Sequence, residues 1–117
     1  MYKVKCVKEF TLTGEDVDDI MTDALDSGIG YWCGEAEVEG DYLGEYASDQ
    51  ISRGGKLILH DIEDPDETHI LDLGSFLSGY KRAIEQGYFS GDLDDDYDAG
   101  VADVIIQLAI FGEVVYG

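Results

Sequence analysis

Apolar and polar positions alternate from Tyr2 to Leu12, with Tyr2, Val4 and Cys6 on one face and Lys3, Lys5 and Val7 on the other. That period of two predicts a strand over residues 2–12. The period then changes. Val17, Ile20, Met21, Ala24 and Leu25 recur at helical spacing, Thr13 and Asp16 make a capping box, and Gly28 supplies a stop, so a helix is predicted over 14–27. Residues 31–38 read as a second strand, followed by a long irregular connection over 40–55. Residues 56–60 and 69–73 read as an antiparallel pair joined by an acidic loop around Pro65. Phe76, Leu77, Tyr80, Ala83 and Ile84 predict a helix over 74–86, and Val101, Val104, Ile105 and Leu108 one over 99–111, stopped by Gly112. The tail 113–117 is expected to add an edge strand. The order β-α-β-β-β-α-α predicts a single α+β domain over 1–117, with about four mostly antiparallel strands packed against about three helices.

Charge changes the picture most. The chain carries 27 Asp and Glu against 7 Lys and Arg, a formal net charge of −20 in 117 residues. No Lys or Arg occurs between Glu9 and Ser52, nor from Ala83 onward. Such a surface repels nucleic acid and anionic membrane and attracts basic protein surfaces. Acidity of this degree also occurs in disordered chains, but those lack aromatics and β-branched residues. Here 44% of residues are hydrophobic, with 8 Tyr, 4 Phe and a single Pro, so the expectation is a folded domain. The N-terminus has no apolar run of a signal peptide, and the apolar stretch 104–111 is too short to span a bilayer. With only two cysteines, a reduced cytoplasmic setting is expected.

The acids fall in rows. Asp16, Asp19, Asp23 and Asp26 share a stripe of the first predicted helix, where each like-charge pair costs about 0.2–0.5 kcal/mol. Glu35, Glu37 and Glu39 share one face of the second predicted strand, roughly 6.7 Å apart. Carboxylates at that interval offer a partner what a phosphate backbone offers. The loops 61–67 and 92–98 add two further clusters. Tyr31, Trp32, Tyr42 and Tyr46 lie among these acids, where core packing or a protein interface would use them.

Chemistry-bearing motifs fail on inspection. Asp92, Asp94, Asp96 and Asp98 resemble a calcium loop, but Tyr97 stands where the sharp turn needs Gly and Asp103 where the loop needs Glu. Gly54-Gly55-Lys56 lacks the first glycine and the hydroxyl of a phosphate loop. No Ser has a partnered His motif, so no enzyme activity is expected. Cys6, Cys33, His60 and His69 admit a zinc site, for which Cys33 and His60 are the pair to test, although no spacing is the short kind that marks zinc.

Three stretches carry a likeness: GIGYWCGEAEVEGDYLGEYASDQISRGGKLILHD, LDLGSFLSGYKRAIEQG and ADVIIQLAIFGEVVYG. They resemble a group of small acidic proteins encoded by phages and mobile elements of Gram-positive bacteria. Proteins of that class include anti-CRISPR inhibitors that act as DNA mimics against type II effectors. The resemblance implies an inhibitor that binds a basic nucleic-acid-binding host protein in the bacterial cytoplasm, with Cas9 the best single target, and blocks its engagement of DNA. Asp16, Asp19, Asp23, Glu35, Glu37 and Glu39 are the expected partner-binding residues. The other expectation is a non-catalytic structural or regulatory phage protein, stabilised by zinc, whose acidity serves solubility.

Overall fold

Thr13 opens the first helix. Its hydroxyl accepts the Asp16 N–H at 3.0 Å, and the Asp16 carboxylate accepts the Thr13 N–H at 2.9 Å. From there the computed structural model, which describes residues 1–4 and 8–117, runs through α1 (Gly14–Asp23) into one π-helical turn, Ala24–Gly28. Next come β1 (Cys33–Glu39), a short 3₁₀ turn at Ala47–Asp49, β2 (Lys56–Asp61) and β3 (Thr68–Leu71). Two helices complete the chain, α2 (Leu73–Glu85) and α3 (Ala99–Phe111). Asp72 caps α2 through the Ser75 N–H at 2.8 Å, and Asp98 caps α3 through the Val101 N–H at 2.9 Å. Gly112 ends α3 at φ +75°, a conformation that favours glycine. The α+β class is as the pattern predicts. No helix among the described residues is long and apolar enough to cross a membrane.

Among the described residues the sheet has three antiparallel strands in the order β1-β2-β3, where about four are expected. The tail 113–117 does not join it. Residues 1–4 and 8–13 carry no strand, and residues 5–7, part of the strand expected at 2–12, lie outside the described residues. Phe10 and Leu12 are drawn to the core instead. Phe10 lies so close to Gly91 that a Cβ there would meet its ring at 2.5 Å. The tail also fails to pair, because a side chain takes its backbone groups. Gln107 Oε1 accepts the N–H of Val115 and Tyr116, both at 2.8 Å, and its Nε2 donates to the Tyr116 carbonyl at 3.1 Å.

One sheet face packs on the helices and the other is open. Leu57, Leu59 and Leu71 point inward and are buried, joined by Ala36 and Val38 of β1. The alternating partners Glu35, Glu37, Glu39, Lys56, Ile58, His60, Thr68 and Ile70 share the outer face. The helix α3 is buried on nearly all sides and packs closely against α2 at Gly79. A Cβ on Gly79 would strike the Ile105 carbonyl oxygen and meet the Ala109 nitrogen at 2.8 Å. Within this core Asp103 is 8% exposed, yet satisfied. Its carboxylate accepts from the Tyr31 hydroxyl at 2.6 Å, the Trp32 indole N–H at 2.8 Å and Gln107 Nε2 at 2.9 Å. Burial of the Tyr31 hydroxyl end, followed by the adjacent Asp103, pushes that phenol up to about 12.

Candidate protein-interaction surface

The glutamate row is a consequence of strand geometry. Ala36 and Val38 must face the core, so Glu35, Glu37 and Glu39 face solvent, and all three are exposed. Across the ladder they stand opposite His60, Ile58 and Lys56 respectively. A diagonal contact joins His60 Nε2 to Glu37 Oε1 at 3.0 Å, while His60 Nδ1 lies 2.9 Å from the Pro65 carbonyl oxygen. Both partners are acceptors, and a neutral imidazole has one N–H, so the two bonds together require imidazolium. The Pro65 carbonyl first, then Glu37, raises the His60 pKa.

The aspartate stripe lies on α1, and the 3₁₀ turn Ala47–Asp49 touches both that helix and β1. Its members divide by duty. Asp16 closes the helix cap, and Asp23 accepts the Tyr97 hydroxyl at 2.6 Å. Burial and this carboxylate push the Tyr97 phenol far up. Asp19 is exposed. The three line a cleft of about 360 Å³ between α1 and the 92–98 loop, with Asp94 on the opposite wall and Ile20, Leu93 and Tyr97 between. The structure thus joins Asp94 to the stripe, a proximity set by the Tyr97–Asp23 bond across 74 residues that no local pattern encodes.

Many of the remaining acids hold loops in shape. Asp61 accepts the N–H of Glu63 at 2.8 Å and of Asp64 at 2.9 Å, together with the Tyr116 hydroxyl at 2.9 Å. These bonds, the Asp64 N–H first, hold its carboxyl below the usual range. Asp96 accepts the Ser90 N–H and hydroxyl, and Asp92 accepts the Asp94 N–H at 2.9 Å. Such turns use a carboxylate as a backbone acceptor. By contrast, among the described residues both ion pairs draw their cation from histidine, His60–Glu37 at 3.0 Å and His69–Glu67 at 3.7 Å.

The side chains of the candidate zinc pair, Cys33 and His60, point to different faces of the sheet. Cys33 faces the core, opposite Asp61 across a β-bulge, with its thiol 3.3 Å from the Glu35 carbonyl oxygen. Burial pushes that thiol up. His60 faces outward with both ring nitrogens engaged, and the His69 and Phe111 rings pack in a T shape at 4.6 Å between centroids. Cys6 lies outside the described residues. Among the described residues no three His, Cys, Asp or Glu side chains gather as metal ligands.

No protein-family model, no curated protein and no solved structure matches this chain.

Proposed function

We propose that the protein is a non-catalytic inhibitor that binds a basic nucleic-acid-handling protein and denies it DNA. The exposed row Glu35, Glu37 and Glu39 carries this reading, since three carboxylates at roughly 6.7 Å intervals present a regular line of negative charge. Asp16, Asp19 and Asp23 border a second acidic surface on α1. Lys and Arg that normally hold phosphates supply the complementary charge, and a Cas9-type nuclease is the target that the phage-protein resemblance implies.

Competition with DNA tests the proposal. Rim charge contacts are worth about 0.2–1 kcal/mol each, so Glu35→Gln, Glu37→Gln and Glu39→Gln together should weaken binding to the target by about 3–100-fold. Wild-type binding should fall steeply as salt rises, with a shallower slope in the triple variant. Equal inhibition of DNA binding by the two proteins would overturn the assignment of this surface. The loop-bound acids Asp61, Asp92 and Asp96 support a second reading, a structural or regulatory phage protein whose acidity serves folding and solubility. That reading predicts no displacement of DNA by either protein.

A further inference from the structure

The connection from β1 to β2 exposes three large apolar side chains within five residues: Tyr42 at 60%, Leu43 at 48% and Tyr46 at 61%. Their backbone is nevertheless pinned. Gln50 is 1% exposed, and its amide accepts the Leu43 N–H at 3.1 Å and donates to the Asp41 carbonyl at 3.2 Å. One Asp49 carboxylate oxygen accepts the N–H of both Glu45 and Tyr46 at 3.1 Å. Two glycines allow this closeness. A Cβ on Gly55 would overlap the Gln50 side chain, and one on Gly44 would meet Asp49 Cβ at 2.6 Å. A floppy loop would let these side chains fold back onto the surface; this one holds their backbone in place.

We propose that Tyr42, Leu43 and Tyr46 form the apolar anchor of the protein-binding surface and seat on an apolar patch of the partner that is flanked by Lys and Arg. The inference rests on the function proposed above and adds the chemistry of the contact. Exposed carboxylates accompany the anchor, Glu39 and Asp41 before it and Glu45 within it, so charge complementarity calls for a basic rim on the partner. A second copy of this chain would instead bring −20 against −20. Tyrosines held on a fixed backbone give large contact area with little side-chain entropy to lose. Long-range charge sets how fast partners meet, whereas desolvated apolar anchors set how long they stay.

Two synthetic peptides separate these contributions: one of alternating Lys and Ser, and one of the same length and charge with Leu in place of Ser. Each is titrated into the full-length ¹⁵N-labelled protein. Both should shift the amides of Glu35 to Glu39. The Leu-bearing peptide should also shift residues 42–46 and bind at least tenfold more tightly. In a Tyr42→Ser, Leu43→Ser, Tyr46→Ser variant that gain should vanish while the glutamate shifts persist; unchanged amide positions elsewhere report an intact fold. A Tyr42→Phe, Tyr46→Phe variant should keep most of the gain. Equal affinity of the two peptides, or a gain that survives the serine variant, would overturn the anchor and leave the glutamate surface standing. Loop shifts with silent glutamates would support the anchor and overturn the acidic surface. A dimer in sedimentation that the serine variant abolishes would assign the loop to self-association and overturn the proposal.

Discussion

His60 shows how much one side chain can bind together. It lies on the outer sheet face, with a loop carbonyl on one ring nitrogen and Glu37 on the other. Glu35 stands opposite on β1, Lys56 lies on the same face of its own strand, and the loop it touches carries Glu63, Asp64, Asp66 and Glu67. The folded-state pKa is raised, so the stability from these contacts is fully present below about 6.5 and is lost as pH rises through the folded value. The His60 pKa read from ring NMR shifts should therefore exceed the ordinary histidine value of about 6.5, and Glu37→Gln should lower it. The fall in melting temperature from pH 6 to pH 8 should be smaller in that variant; an identical fall would show that the contact contributes nothing. The hairpin alternation around Pro65 makes the placement of His60 and His69 beside the loop legible in sequence. Asp103 was not legible. It stands where a calcium loop would want its twelfth ligand, and its partners Tyr31 and Trp32 lie more than 70 residues away. Only the folded chain shows it as a buried acceptor.

Helices are the legible elements, because their ends are written locally. Thr13 with Asp16, Asp98 and Gly112 mark boundaries that the structure reproduces, and the third helix spans the predicted residues. The first helix departs from α geometry in its last turn. There Gly28 lies against the start of α3, where a Cβ would meet the Ala99 carbonyl at 2.8 Å. The edge strand expected of the tail is absent for a different reason. Alternation says which side chains face inward, but a strand also needs a free edge for its backbone, and Gln107 takes the tail's N–H and C=O groups first. The close approach of α2 and α3 yields a prediction at this scale. Gly79→Ala gains about 1 kcal/mol of helix propensity but drives a methyl into the α3 backbone. A net loss of about 1–3 kcal/mol is expected in urea unfolding. A stabilised variant would show that the helices separate readily.

Across the whole molecule, net charge sets up two opposed responses to salt. The fold carries −20 with histidine as the only cation in its described ion pairs, so the compact state repels itself. Added salt should raise the melting temperature while it weakens binding to a basic partner. A melting temperature that falls between 10 mM and 500 mM NaCl would contradict self-repulsion as the dominant electrostatic effect. Above the folded His60 pKa, where the His60–Glu37 contact no longer adds stability, removing the charges of Glu35, Glu37 and Glu39 should leave stability equal or higher, which separates their role in binding from their role in folding. The acidic rows were legible from spacing alone. Their setting was not, since Asp16 and Asp23 have structural partners and Asp94 enters the same cleft only through tertiary contacts.

The tail clamp has a spectroscopic consequence. Trp32 is the chain's one tryptophan, its indole N–H is bonded to Asp103, and the Tyr116 ring stacks on it at 5.4 Å with an interplanar angle of 5°. Gln107 fixes that ring by gripping its backbone, so the indole senses the tail at one spot and the buried carboxylate at another. The protein thus carries an internal optical reporter: lifting residues 113–117 wets the indole and moves its emission to longer wavelength. Docking of the C-terminus can be followed by intrinsic fluorescence, with no label attached.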